Sequence, residues 1–357
     1  MLREVIRPMP TPRPSTALPR RTRRDALRLG GAAAAALLGR EALAQDRLAA
    51  ARGEGRVLLF SGQSADVLAR LKRDFEARHR GVTLETWRSD LSPLIQRFVT
   101  ETAANRPTAD VLDLVERRSV ELAERGLAAS YVSPEQAALP QDARTDGMWT
   151  NYSLHLGSFA FNTQRVQNPP QDWDDLLDPR WRGRIGIQNP VQGGGAAIWV
   201  ITMYEAWGEA RWTDYMRRLA AQNLRLGNYF QVQDMLAGGE IDIQVAAYPN
   251  FVEPFIRRTN ARIGWAVPNP VMRTFNTLTI ARSAANPNAA RLLVDFIASA
   301  EGQALMAELD LLPVRAASRP PAYARLAGAT FADQAWRLEL TRPDWFRDRI
   351  RDFFAPR

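Results

Sequence analysis

Hydrophobic positions alternate between two rhythms along the first half of the chain. Arg56-Val57-Leu58-Leu59-Phe60, Val82 to Trp87 and Val111 to Val115 are short runs rich in β-branched, aromatic and aliphatic residues, and they predict strands. Between them Val67, Leu68, Leu71 and Phe75, then Leu94, Ile95, Phe98 and Val99, recur at helical spacing. Ser61 to Ser64 form a turn into the first helix. Ser92-Pro93 reads as a hydroxyl cap followed by proline at the first helical position. Arg117 to Arg125 is a third helix, stopped by Gly126. Strands alternating with amphipathic helices predict an α/β architecture with a largely parallel sheet.

The pattern continues with a long strand-like stretch over 150–162 and a Pro- and Trp-rich loop from Pro169 to Trp181. Gly183 to Ile187, Ile241 to Ala247, Arg262 to Val267 and Thr274 to Ala281 read as strands. Helices are expected after Gly193-Gly194-Gly195, over Ala210 to Gln222, around Val232 to Leu236, and over Pro249 to Thr259. Helices also close the chain, over Pro287 to Ser299, Glu301 to Leu309, and an amphipathic stretch near Trp345 to Phe354. There is no internal repeat. The ten tryptophans are expected in packing roles rather than on a stacking surface.

Composition adds compartment and partner. At 357 residues, 46% hydrophobic and 24% charged, the chain is long enough for two domains and apolar enough to fold. Its net charge of +8 is concentrated at the start: residues 1–44 hold nine arginines against three acids, leaving +2 for the rest. The total therefore does not imply a nucleic-acid groove. The same residues read as an export signal. Arg23-Arg24 with Leu27-Arg28 resembles a twin-arginine element, Leu29 to Leu38 is apolar, and Ala42-Leu43-Ala44 is a small-x-small cleavage site. The apolar run is about half of the ~20 residues that a spanning helix needs. The absence of Cys excludes disulfides, thiolate metal sites, cysteine nucleophiles and an N-terminal lipid anchor. The expected mature protein is periplasmic, soluble and monomeric.

Several segments, in order, resemble the periplasmic solute-binding proteins of ABC importers, and most of all their ferric-ion-binding branch. They are Leu59-Phe60-Ser61-Gly62, Pro107-Thr108-Ala109-Asp110-Val111, Gly126-Leu127 with Tyr131, Asp146-Gly147-Met148-Trp149 and Phe161-Asn162-Thr163. The run Trp173 to Ile185 is the most specific. Asn286-Pro287-Asn288-Ala289-Ala290, Asp295 to Ser299, Glu301-Gly302-Gln303 and Pro313-Val314-Arg315 complete the series. The resemblance implies the type 2 periplasmic-binding-protein fold: two lobes, each a mixed, mostly parallel sheet flanked by helices, joined by crossover strands. Lobe one would be 54–155 plus 275–357 and lobe two 156–274, with a hinge near Asn162 and Arg273-Thr274. A small-molecule ligand in the cleft, delivered to an inner-membrane ABC permease, is the implied function. No cofactor is called for.

Ligands of open α/β sheets sit at the carboxyl ends of strands, beside helix N-termini. That rule selects Ser61, Gly62, Gln63 and Ser64 after the first strand, although a plain helix cap explains them equally well. Arg88 and Ser89 follow the second strand and Glu116 and Arg117 the third. Arg88 is either a bidentate anion clamp or a solvated surface residue. Asn162 and Arg273 stand at the expected hinge. Gly194 and Gly195 before a helix would present backbone N–H groups to an anion. Asn228, Tyr229, Tyr248 and Asn250 fall in the remaining lobe-two loops.

Iron-binding relatives place two adjacent tyrosines where this chain has Tyr248-Pro249, and a His where it has Ser64. A ferric ion wants several anionic oxygen ligands, and Tyr248 with Glu116 makes a poor set. A small organic anion or phosphonate suits Arg, Ser, Asn, Tyr and backbone N–H groups better. Ferric binding and a ligand-sensing role are the alternatives. A secreted hydrolase is a third, without a Gly-x-Ser-x-Gly elbow or a His-Glu-x-x-His motif to support it.

Overall fold

In the computed structural model the described residues are 46–106 and 109–355. The leader, and Pro107-Thr108 of one family-like motif, lie outside them. Strands β1 (Arg56–Ser61), β2 (Thr83–Arg88) and β3 (Val111–Val115) are parallel, with β1 in the middle. Helix α1 (Ala65–Arg78) buries Leu68, Leu71 and Phe75 and is capped by Ser64, whose Oγ accepts from Val67 N–H at 3.4 Å. Helix α2 (Leu91–Ala103) starts at Leu91, one residue ahead of Ser92, with Asp90 at the N-cap. Pro93 is tolerated there because first-turn N–H groups have no helical partner to lose. Helix α3 (Glu116–Glu124) leaves β3 directly.

Two long strands hold the sheet together. Strand β4 (Thr150–Asn162) pairs antiparallel with β9 (Val271–Ile280) over Thr150 to Gly157, then with β7 (Ile243–Ala247) from Ser158 onward. The order is β2-β1-β3-β9-β4-β7-β5-β6, where β5 is Ile185–Gln188 and β6 is Arg225–Gly227; β8 (Ile263–Trp265) and β10 (Phe331–Asp333) flank β4 and β9. Around the second half lie α4 (Gly194–Trp207), α5 (Glu209–Ala220), α6 (Tyr229–Gly238) and α7 (Pro249–Thr259). Next come α8 (Pro287–Ala298), α9 (Ala300–Glu308), α10 (Trp336–Thr341) and α11 (Pro343–Phe354). Asp110 joins two of the distant family-like segments: its carboxylate accepts from Leu58 N–H at 2.9 Å, Asn286 N–H at 2.8 Å and Asn286 Nδ2 at 3.0 Å.

Four features depart from the reading of the sequence. Strands β6 and β10 carry no alternation long enough to register, and β9 begins three residues earlier than expected. The strand switch in β4 falls at Gly157 to Phe159, not at Asn162; a Cβ on Gly157 would meet the Met272 side chain at 2.7 Å. Finally, the C-terminal segment does not stay with the first half. Phe346, Ile350 and Phe354 of α11 are buried in one cluster with Trp173, Trp199, Trp212 and Tyr215. Each fully buried tryptophan removes roughly 200 Å² from water, about 5 kcal/mol gross, so the apolar face of α11 follows them. Trp173, Trp181, Trp199, Trp212 and Trp265 are buried and serve packing.

Candidate ligand cleft

The loops at the carboxyl ends of β1, β2 and β3 are tied to one another. Ser61 is fully buried; its hydroxyl donates to Asp113 Oδ2 at 2.6 Å and accepts from Gln63 N–H at 3.1 Å. Tyr152 donates to Asp113 Oδ1 at 2.9 Å, and Gln63 Nε2 donates to Tyr152 Oη at 3.0 Å. Burial pushes the Asp113 carboxyl up to about 6 against the pull of these hydrogen bonds. Arg88 Nε donates to the Gln63 carbonyl at 2.9 Å and Ser89 N–H to the Ser61 carbonyl at 3.2 Å. Ser61 and Gln63 are thus engaged inside the protein, while Gly62 and Ser64 are exposed. Arg88 is exposed and has no carboxylate within ion-pair range among the described residues.

At the end of β3, Glu116 opens α3. Burial, with the nearby Asp333 charge, pushes its carboxyl up to about 7 against the opposing pull of Arg273. Arg117 pairs with Glu121 at 3.2 Å and with Glu339 at 3.3 Å.

On the second half, β7 carries a bulge. Ser158 pairs with Ala247 and Phe159 with Val245, so Ala246 is the extra residue, held at φ 53°. A bulge beside a site re-aims the next side chains, here Tyr248. The Tyr248 ring packs over the start of α4: a Cβ on Gly195 would lie 2.5 Å from Tyr248 Oη. Only glycine permits that approach. The helix opens with Gly193 at the N-cap and no side-chain cap. Ala196 N–H meets Gln188 Oε1 at 3.2 Å, and the N–H groups of Gly194 and Gly195 have no partner among the described residues. Tyr229 Oη accepts from Tyr248 N–H at 3.0 Å. Burial raises both phenols well above their ordinary value. Phe230, 64% exposed, and Phe251, 40% exposed, extend this cluster to the rim, with Tyr229–Phe251 and Tyr248–Phe251 centroids at 5.5 and 5.8 Å.

The structure places four expected site residues elsewhere or in other roles. Asn162 sits at the far end of β4, four residues beyond the level of Ala247, about 13 Å along the strand. There its amide caps a turn, accepting from Gln164 N–H at 3.0 Å and donating to the Leu236 carbonyl at 2.9 Å. Arg273 is 5% exposed and spends its guanidinium on Asp333 (2.6 and 3.0 Å) and Asp142 (2.6 Å). Asn228 forms a capping box with Gln231 at the start of α6. Asn250 is buried and holds His155.

The sequence reading places His155 in a strand outside the ligand loops and does not single out Asn276, Asp113 or Glu339. The first three share a signal, a polar side chain inside an apolar strand; Glu339 has none. A cavity of about 640 Å³ is lined by Thr202, Trp207, Arg211, Phe331, Asp333 and Gln334 among others, and no expected ligand residue lines it.

Two sets of strand ends therefore face a common region, one half bringing guanidinium and carboxyl groups and the other an uncapped helix start and aromatic rings. Residues 106–336 match the profile of the bacterial extracellular solute-binding proteins. The chain belongs to that family. Its fold is that of the type 2 periplasmic binding proteins. It superposes on the Bordetella ferric binding protein with a TM-score of 0.73 at 19% identity, covering 84% of this chain and 98% of that one. It superposes on the periplasmic binding protein AfuA from Actinobacillus pleuropneumoniae, solved with fructose-6-phosphate, with a TM-score of 0.64 at 21% identity, covering 85% and 99%. An uncharacterised Haemophilus influenzae protein is 28% identical over 221 residues, 57% of this chain and 62% of that relative. A putative 2-aminoethylphosphonate-binding periplasmic protein of Salmonella typhi is 21% identical over 275 residues, 74% and 78%. This solute-binding protein is of the ABC-importer type, which implies a small-molecule ligand and a permease partner. Among the described residues no helix is long and apolar enough to cross a membrane.

Proposed function

We propose that this solute-binding protein captures a small organic anion carrying a phosphonate or phosphate group, closes over it in the periplasm and hands it to an inner-membrane ABC permease. The observation that carries the reading is the start of α4, where Gly194 and Gly195 offer unpartnered N–H groups beneath Tyr248. An oxyanion there meets both the N–H donors and the positive end of the helix. Arg88 on the facing lobe supplies an exposed guanidinium, suited to bidentate contact. The names of two relatives, one a phosphonate binder and one solved with a sugar phosphate, agree with this chemistry.

Ferric binding is the weaker reading. A second tyrosine beside Tyr248 is replaced by Pro249, which leaves few anionic oxygen ligands for a hard ferric ion. Tyr229 Oη is also already an acceptor for Tyr248 N–H.

Calorimetry and thermal shift of the mature protein with 2-aminoethylphosphonate, fructose-6-phosphate, inorganic phosphate and ferric citrate test the reading. Saturable binding of a phosphorus oxyanion, weakened in Gly195→Ala, is expected. Binding of ferric ion alone, with a tyrosinate charge-transfer colour lost in Tyr248→Phe, would overturn it. Export completes the proposal: replacing Arg23 and Arg24 by Lys should retain precursor in the cytoplasm, and unchanged secretion would remove the twin-arginine route.

A further inference from the structure

We infer that the C-terminal segment Gln334–Arg342 is a strap that favours the closed arrangement of the lobes before ligand arrives, with Glu339 as its latch. The inference deepens the reading of the cleft given above and depends on it only where ligand affinity is concerned. The family match ends at residue 336, so most of α10 and all of α11 lie beyond it.

The strap is fixed to lobe two on both sides of the latch. Ala335 is buried in the cluster of Trp199 and Trp212, and its N–H meets Thr202 Oγ1 at 3.5 Å. Arg342 Nη1 donates to Tyr204 Oη at 3.0 Å, and its guanidinium lies 4.1 Å from the centre of the Trp345 ring. Helix α11 then buries Phe346, Ile350 and Phe354 in that same cluster.

Between these anchors the strap reaches lobe one. Glu339, 10% exposed, takes Arg117 Nη1 at 3.3 Å on one oxygen and Gln334 Nε2 at 2.8 Å on the other. Gln334 Oε1 accepts from the hydroxyl of Thr274 in β9 at 2.7 Å. A continuous polar chain thus runs from α3 of lobe one through Glu339 and Gln334 to the crossover strand. Rotation that parts the lobes carries Arg117 away from a carboxylate that lobe two holds in place. Arg117 also pairs with Glu121, at 3.2 Å and within its own helix, and Glu339 keeps the Gln334 amide, so each charge retains one polar partner when the latch opens.

A ligand that needs the closed arrangement binds with an apparent affinity reduced by the fraction of protein not yet closed. A latch that raises this fraction tightens binding without touching the ligand.

The chain has no Cys, so a Cys pair at the exposed positions Ala69 (α1) and Ala210 (α5) can carry spin labels for distance measurement, alongside small-angle scattering of the unlabelled protein. Without ligand, Glu339→Gln and Arg117→Gln should each lengthen the mean distance and raise the radius of gyration. The charge-swapped double variant Arg117→Glu with Glu339→Arg should restore both. Unchanged distances in both single variants overturn the strap, whatever the ligand proves to be. With 2-aminoethylphosphonate as probe, Glu339→Gln should bind about fivefold more weakly, the size of a modest fall in the closed fraction. Tighter binding overturns the latch, since Glu339 would then only compete with the anion for Arg117. Lengthened distances with no binding of any phosphorus oxyanion support the strap and overturn the ligand reading instead.

Discussion

Asn250 Nδ2 lies 2.6 Å from Nδ1 of His155, and Asn276 Nδ2 lies 3.0 Å from its Nε2. Asn250 Oδ1 accepts from Leu156 N–H at 3.3 Å. The ring is held between two side-chain amides. His155 thus joins β4, β9 and the start of α7, and its ring packs near Tyr248 and Phe251 with centroids at 6.4 and 5.6 Å.

Burial lowers the His155 pKa from 6.5 to about 4, with Asn276 pulling the other way. Between those values the unfolded chain holds a proton that the folded chain lacks, so stability rises with pH and is lost on acidification. Urea unfolding of wild type and His155→Gln at pH 7.5 and pH 5 isolates the effect. Wild type should lose about 2 kcal/mol more than the variant over that interval. Equal losses would show that His155 titrates normally.

Gly195 and Tyr248 should behave as one unit. Gly195→Ala forces a methyl against the Tyr248 ring, an overpacking cost of about 1–3 kcal/mol, and should weaken ligand binding about tenfold or more by displacing the N–H groups. In a Tyr248→Ala background the stability cost of Gly195→Ala should largely vanish. A double-mutant cycle by thermal unfolding measures this, and additive effects would refute the contact.

Ala246 pays for the bulge. A non-glycine residue at φ 53° costs about 1–2 kcal/mol, so Ala246→Gly should stabilise the protein by about 1 kcal/mol once the larger backbone entropy of glycine is subtracted. Denaturant midpoints at constant m report it. Destabilisation would mean that the buried methyl of Ala246 contributes more packing than its backbone conformation costs.

Ligand closure should be visible in solution. A bound ligand that touches both lobes favours the closed state by its differential affinity, so scattering should give a smaller radius of gyration with ligand than without. Arg88→Ala should cost about 1.5–3 kcal/mol of binding if its guanidinium bonds the anion. Normal binding in both Arg88→Ala and Tyr248→Ala would move the site elsewhere even with the fold unchanged.

The candidate loops were legible because strand ends and helix starts leave local marks. Ser61 to Ser64, Arg88, Glu116, Arg117, Gly194, Gly195, Tyr229 and Tyr248 all fall at strand ends or helix starts that alternating patterns delimit. Asn162 misleads for a definite reason. It ends a strand as the others do, but β4 runs antiparallel to β7, so its carboxyl end points away from the cleft. Arg273 misleads because its partners Asp142 and Asp333 are distant in sequence.

The amino-acid sequence by itself determined the alternation of strands and helices, and hence the α/β class. It also determined the family, because periodicity, caps and turn residues act within a few positions of one another. The tertiary structure alone decided which core α11 joins, where β4 changes partner, that Ala246 is extruded beneath Tyr248, and that Glu339 reaches Arg117 from 222 residues away. An amphipathic face states that it must be buried but not against what. That choice depends on shape and charge matched between segments that meet only when the chain has folded.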